Sequence, residues 1–216
     1  KLKKEKMNLL IAVGAGAEFK SQMVHVSYRP PGGKEQPIAF VGKGVTFDTG
    51  GLDLKPTKGM RFMKKDMGGS ATLVGLAYWL DHSQIKVPCD FYLALAENSV
   101  SQTSFHPGDV IQSRQGLRVE IDNTDAEGRL VMADAIDVAV TQTGANEPQL
   151  VIDASTLTGA MRVAVGLDLI GMFANDDDYA EQFLSAGQKR GDCGWRMPLY
   201  DPYEQFLKSE FGDMLN

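Results

Sequence analysis

Histidine and cysteine are scarce in this sequence. The 216-residue chain holds three His, at positions 25, 82 and 106, and two Cys, at 89 and 193. Neither type recurs at a spacing that closes a tetrahedral zinc site, and there is no C-x-x-C pair. A metal bound by this chain must therefore sit on oxygen ligands. Two thiols so far apart also exclude a disulfide framework and fit a reducing compartment. Positive charge is short as well: 22 Lys and Arg stand against 28 Asp and Glu, a formal net charge of −6. That balance argues against a general binder of nucleic acid or anionic membrane, and the basic stretch Lys1 to Lys6 reads as a solvated helix face. No apolar run reaches the roughly 18 residues of a membrane span, and no signal-peptide pattern opens the sequence. A soluble, cytoplasmic protein is expected.

What is present is the composition of a globular domain, 43% hydrophobic and 23% charged, with a high count of 23 Gly that suggests tight turns or close backbone approaches. Met7 to Val13 is an apolar run of ambiguous period. Met23 to Arg29 alternates, with Val24, Val26 and Tyr28 on one face, and predicts a strand in which His25 is an ordinary member. Pro37 to Phe47 predicts a second strand, with Gly42 and Gly44 marking a bulge or a close approach. Gly68 to Leu80 predicts a helix. Phe91 to Ala96 is an uninterrupted apolar run, the form of a strand buried on both faces. Leu117 to Ile121 predicts a strand, Glu127 to Thr141 a helix through Leu130, Ala133, Ile136 and Val140, and Leu150 to Ala154 a further strand. Asn175 to Asp178 reads as a solvated acidic loop. Strands alternating with helices predict an α/β fold, with a mixed, mostly parallel sheet sandwiched by helices.

In such sheets ligands gather beyond the carboxyl ends of the strands. The strand Pro37 to Phe47 runs into Asp48, with Lys43 five residues earlier. An odd separation puts the two side chains on opposite faces unless a bulge at Gly42 or Gly44 shifts the phase. Asp66 precedes one helix, and Asp125 with Glu127 opens the next. Singly, Asp66 and Asp125 read as helix N-caps and Lys43 as a surface lysine. Together, four acids would raise one another's pKa unless cations neutralised them. Oxygen donors suit Mg, Mn or Zn, and this set could hold two divalent ions about 3.5 to 4 Å apart. Lysine must be neutral to act as a ligand, a form favoured by burial beside a dication. Lys55 and Arg129 are further cations, best explained as stabilisers of oxyanion charge on a substrate. Hydrolysis is the natural chemistry, because a metal pair activates water without a protein nucleophile. Ser99 and Ser155 lack a G-x-S-x-G setting, and Gly14-x-Gly16 and Gly42-x-Gly44 lack the third Gly of a dinucleotide site.

The octapeptide Asn123-Thr-Asp-Ala-Glu-Gly-Arg-Leu130 resembles the signature of the leucyl aminopeptidase family, the M17 dimetal exopeptidases. Val41-Gly-Lys-Gly-Val-Thr-Phe-Asp48, Gly50-Gly51, Lys55 and Lys65-Asp-Met-Gly-Gly69 resemble its first metal block, and Asp153-Ala-Ser-Thr-Leu-Thr-Gly-Ala160 its substrate loop. The resemblance implies a zinc-exopeptidase-like catalytic domain with Lys43, Asp48, Asp66, Asp125 and Glu127 as metal ligands, Asp48 and Glu127 bridging both ions. Lys43 and Asp66 would serve the more exchange-resistant site and Asp125 the other. The ions would be Zn or Mn, with Mg or Co tolerated. By the same resemblance Lys55 polarises the scissile carbonyl and stabilises the gem-diolate, and Arg129 holds a bicarbonate that serves as general base. Met63, Thr156 and Leu157 match residues lining the substrate site, although Met63 also reads as a core gap filler.

The implied activity is removal of leucine-like residues from peptides with a free N-terminus, by a homo-hexamer. Residues 1–20 correspond to the family's linker helix region and 21–216 to its catalytic domain, shortened at the C-terminus and without the family's N-terminal domain. Two other readings fit the residues less fully: a non-catalytic binding or scaffold protein with structural metals, and a two-metal phosphoesterase.

Overall fold

The computed structural model describes residues 1–33 and 35–216. In chain order it runs through α1 (Asn8–Val13), β1 (Gln22–Tyr28), β2 (Ile38–Asp48), α2 (Thr57–Met60), α3 (Gly68–His82) and β3 (Cys89–Asn98). Next come β4 (Val110–Gln112), β5 (Arg118–Glu120), α4 (Glu127–Val140), β6 (Leu150–Ala154), α5 (Gly159–Val165), β7 (Ile170–Met172), α6 (Asp177–Arg190), β8 (Gly194–Arg196) and β9 (Met214–Leu215). The chain divides into two compact units, residues 1–157 with 207–216, and residues 158–206. Among the described residues no helix is long and apolar enough to cross a membrane.

The first unit is built on a four-stranded sheet of order β1-β3-β2-β6. β3 pairs parallel with β2, β2 pairs parallel with β6, and β1 pairs antiparallel with β3, so the sheet is mixed and mostly parallel as the alternation predicts. Both faces are covered. Ala39, Val41 and Val45 of β2, with Tyr92, Ala94 and Ala96 of β3, pack against Leu9, Leu10 and Val13 of α1 and Leu130, Val131 and Ala135 of α4. Phe91 and Leu93, with Ile38 and Phe40, face Leu73 and Leu80 of α3 on the other side. The period-2 alternation of a strand explains this split, and burial on two faces explains why Phe91 to Ala96 contains no polar residue.

Lys43 shares the inward face of Val41 and Val45, toward α4. Asp48 joins it because β2 carries one extra residue: Val45 pairs with Ala96 and Asp48 with Asn98, three residues opposite two. The phase shift falls between Val45 and Asp48, not at Gly42 or Gly44 as the sequence suggested. Those glycines serve close packing instead. A Cβ at Gly42 would lie 2.9 Å from Ser70 Cα of α3, and one at Gly44 would lie 2.4 Å from Leu95 Cδ2.

The predicted strand at Leu117 to Ile121 forms β5, in a separate sheet of order β4-β5-β9. In the second unit β7 and β8 pair in parallel. The acidic run Asn175 to Asp178 is the start of α6, not a loop: Asp176 Oδ1 accepts from Tyr179 N at 2.9 Å, and Asp177 and Asp178 occupy the first helical turn. Carboxylates there complement the helix dipole, which is why an acidic cluster needs no other purpose at this position.

Candidate metal centre

Four carboxylates and two lysines converge at the carboxyl ends of β2 and β3. Lys43 Nζ lies 2.8 Å from Asp66 Oδ2 and 2.8 Å from Glu127 Oε1. Lys55 Nζ lies 2.8 Å from Asp48 Oδ2 and also pairs with Asp125 Oδ1. Oxygens of Asp48, Asp66 and Glu127 all fall within 4.8 Å of one another. Residues from β2, the turn before α3 and the turn opening α4 are thereby assembled into one cluster, as the sequence grouping anticipated.

The plain readings of the single residues do not hold. Asp66 makes no N-cap bond to α3, whose capping position is Met67. Asp125 sits inside the short turn Thr124–Ala126, where Asn123 is the cap and its Oδ1 accepts from Asp125 N at 2.7 Å. Lys43 is buried, not a surface lysine, and Gly128 makes room for it: a Cβ at Gly128 would lie 2.8 Å from Lys43 Cε and Nζ. The carboxylates that might have capped helices are turned toward the cluster.

The charge count of the cluster is unfavourable. Four carboxylates against two ammoniums leave an excess of two negative charges in a largely buried site. Burial pushes the Glu127 carboxyl up to about 7; Lys43 opposes the shift, while Asp48 and Asp66 add to it. Burial also raises Asp125, against the pull of Lys55. Burial disfavours the Lys43 ammonium, but Glu127 and Asp66 outweigh it and hold its pKa above the usual lysine value. The raised values at both ends of the Lys43–Glu127 pair are compatible because three carboxylates compete around one ammonium, and a single proton added at Glu127 relieves part of the excess.

The contacts leave the same signature. Asp66 Oδ2, Asp125 Oδ1 and Glu127 Oε1 are buried, and among the described residues only the Lys43 and Lys55 ammoniums meet them. Two ammoniums shared among four largely buried carboxylates leave charge that cations of higher valence can neutralise. The donor set therefore fits divalent metal ions.

Around the cluster, Thr156 Oγ1 donates to Asp66 Oδ1 at 2.7 Å, so this residue bears on a carboxylate directly. Leu157 Cδ1 lies close to Gly128, 2.9 Å from where its Cβ would be, and its side chain is otherwise exposed. Met63 is half-buried in the short turn Met63–Lys65 that leads to Asp66. Arg129 is exposed and pairs with no carboxylate among the described residues. Sequence reasoning passed over Asn98 and Thr124. Asn98 Nδ2 donates to Asp48 Oδ1 at 2.8 Å and to the Thr124 carbonyl at 3.1 Å. Thr124 Oγ1 donates to the Gly50 carbonyl at 2.7 Å, and Thr124 N donates to Asp53 Oδ2 at 2.7 Å. The signal for Asn98 was its place after the apolar run of β3, level with Asp48.

Comparison with known proteins decides the family. The family model described as the cytosol aminopeptidase family, catalytic domain, matches residues 1–216, the whole chain. The chain belongs to the cytosol aminopeptidase family. A probable cytosol aminopeptidase of a Bradyrhizobium species is 45% identical over 217 residues, covering 100% of this chain and 42% of the relative. One from Ehrlichia ruminantium is 45% identical, covering 100% and 43% respectively. Among solved structures, the leucyl aminopeptidase of Trypanosoma brucei in complex with actinonin matches with TM-score 0.95 at 33% identity, over 99% of this chain and 42% of its own. The bottromycin maturation enzyme BotP in complex with Mn matches with TM-score 0.93 at 35% identity, over 99% and 46%. The fold is thus that of the family's catalytic domain, and the chain spans less than half the length of these relatives.

Proposed function

We propose that the chain is the catalytic part of a metal-dependent aminopeptidase that removes apolar, leucine-like residues from peptides with a free N-terminus. The observation that carries this reading is the cluster of Lys43, Asp48, Asp66, Asp125 and Glu127, with more carboxylates than its lysines neutralise and with oxygens of Asp48, Asp66 and Glu127 all within 4.8 Å of one another. These five side chains would hold two divalent ions, Zn or Mn. When bound, such ions lower the pKa of water to near neutrality and polarise a carbonyl.

The chain's own residues supply the rest. Lys43, whose ammonium is held by Glu127 and Asp66 against the effect of burial, would give up its proton only in exchange for a cation and then serve as a donor through Nζ. Lys55 Nζ, partly exposed beside Asp48 and Asp125, would meet the scissile carbonyl oxygen and stabilise the negative charge that develops there. Asp125 and Asp48 keep Lys55 protonated, since together they outweigh the effect of burial. Arg129, exposed and without a carboxylate partner among the described residues, would hold a small anion, and bicarbonate is the proposed general base. Met63, Thr156 and Leu157 would line the site for an apolar first side chain, with Thr156 also orienting Asp66. The BotP structure contains Mn, which supports a metal-binding role for the matching fold. A cytoplasmic homo-hexamer is the assembly proposed for the full-length protein.

Two substitutions in the full-length protein test the assignment. Lys55→Ala should fold and take up metal normally while turnover of Leu-p-nitroanilide falls by at least 100-fold, as for loss of an oxyanion stabiliser. Asp66→Ala should lose metal as well as turnover. Full turnover in Lys55→Ala would remove the enzymatic role given to that residue, and full metal content in Asp66→Ala would remove the ligand assignment.

A further inference from the structure

Asp48 and Asp125 reach the cluster from different elements, the end of β2 and the turn before α4. Lys55 pairs with both carboxylates and Thr124 Oγ1 donates to the Gly50 carbonyl, and a third, fully buried side chain is bonded to both elements. Asn98, at the end of β3, is 1% exposed. Its Nδ2 donates one hydrogen to Asp48 Oδ1 at 2.8 Å and the other to the Thr124 carbonyl at 3.1 Å, immediately before Asp125. Both partners are acceptors, so the orientation of the amide is fixed by chemistry. Its own carbonyl oxygen accepts from Thr49 N at 3.0 Å and Thr49 Oγ1 at 2.8 Å, which anchors the backbone after Asp48 to the same residue.

This arrangement sets which oxygen of Asp48 faces the cluster. Oδ1 accepts from Gly50 N at 2.9 Å and from Asn98, leaving Oδ2 toward Lys55. Asn98 Oδ1 is itself buried and accepts no hydrogen bond from the described residues. Natural folds rarely leave a buried amide oxygen unsatisfied, and an exception of this kind asks for a reason. Turning the amide over would not resolve it, since Oδ1 would then face two acceptors. The gain lies in the site.

We propose that Asn98 is a positioning residue that locks Asp48 and the Thr124–Asp125 turn in the relation needed to bind two divalent ions. The inference rests on the metal-dependent reading of the cluster. Groups that orient metal ligands through hydrogen bonds typically change metal affinity by 10- to 100-fold when removed, and that is the effect assigned to Asn98.

The test uses the full-length protein, wild type beside Asn98→Ala and Asn98→Ser. Amide hydrogen exchange is measured on metal-free samples, and Zn2+ affinity by competition with a coloured chelator on samples checked for folding by circular dichroism. In the variants, exchange at residues 48–51 and 124–126 should accelerate while the interior of β3 keeps its wild-type protection, and Zn2+ affinity should fall by about 10- to 100-fold. Asn98→Ser keeps a polar side chain and covers the case in which Asn98→Ala does not fold. Wild-type Zn2+ affinity in a folded variant, or unchanged exchange in both segments, overturns the proposal. A wild-type protein that binds no Zn2+ contradicts the metal-dependent reading itself, and the metal-free exchange result then decides for or against the clamp.

Discussion

Lys43 Nζ and Glu127 Oε1 lie 2.8 Å apart with both side chains almost wholly buried, 2% and 1% exposed. A lysine from the middle of a central strand thus meets a glutamate from the first turn of α4, with Asp66 completing the contact. Removing one partner of a buried pair leaves the other uncompensated. Lys43→Met should therefore destabilise the metal-free protein by about 3 kcal/mol, moderated by protonation of Glu127. Urea melts with and without added Zn2+ check this: the gap to wild type should widen when the cation is supplied, because Lys43 is one of the proposed ligands and the folded state that binds the ion more tightly gains more by mass action.

The elevated pKa of Glu127, about 7, makes metal uptake depend on pH. Below that value the carboxyl is protonated and a cation must displace the proton. Affinity for Zn2+ should rise as pH climbs through 7, with proton release detectable by calorimetry in buffers of different ionisation enthalpy. The sign for stability is opposite. An acid whose folded pKa is raised holds its proton more tightly when folded, so the metal-free protein should lose stability as pH rises from about 4.5 to above 7.

Asp90 provides the reverse case, away from the cluster. Burial raises its pKa, but Arg29, Ser27 and His25 together outweigh burial and leave it below the ordinary carboxylate value. Arg29 Nη2 and Ser27 Oγ each donate at 2.6 Å, and His25 Nε2 lies 2.8 Å away. A depressed folded pKa gives stability that is present above the unfolded value near 4 and is lost as pH falls through the folded one. Arg29→Met should cost about 1 kcal/mol near neutrality, given that Arg29 is partly solvent-screened, and should flatten the decline of stability below pH 4. Urea denaturation between pH 3 and 7 measures both.

Close packing behind the site is also testable. A Cβ at Gly69 would lie 2.0 Å from the Ala154 carbonyl oxygen, a backbone atom that cannot swing aside. Gly69→Ala should destabilise by about 1 to 3 kcal/mol. Gly75→Ala, on the same helix with open space around it, should not destabilise. Thermal melts of the two variants side by side provide the comparison.

Much of this was legible in the sequence because the governing patterns are local. The apolar run of β3 reflects burial on two faces. The alternation in Met23 to Arg29 and the spacing through Leu130 and Ile136 located β1 and α4, although Val24, Val26, Ala133 and Val140 are exposed and α4 buries Val131, Ala135 and Ala139 instead. The grouping of Lys43, Asp48, Asp66, Asp125 and Glu127 could be read because the four acids fall next to strand ends or helix starts, with Lys43 earlier on the strand that Asp48 ends. What escaped was set by contacts distant in sequence. The extra residue between Val45 and Asp48 carries no glycine, while Gly42 and Gly44, which suggested a bulge, answer to Ser70 and Leu95. Asn98 gave no motif, since its bonds run to a carboxylate 50 residues earlier and a carbonyl 26 residues later. The acidic run before α6 looked like a loop because capping and solvation favour the same residue types.

The central claim is that this cluster performs aminopeptidase chemistry, and the most direct measurement is leucine release from Leu-Gly-Gly by the full-length protein. Loaded with Zn2+ or Mn2+, it should release free leucine, lose that activity with a chelator, and leave N-acetyl-Leu-Gly-Gly intact. A metal-replete full-length protein that cleaves no peptide with a free N-terminus would contradict the account.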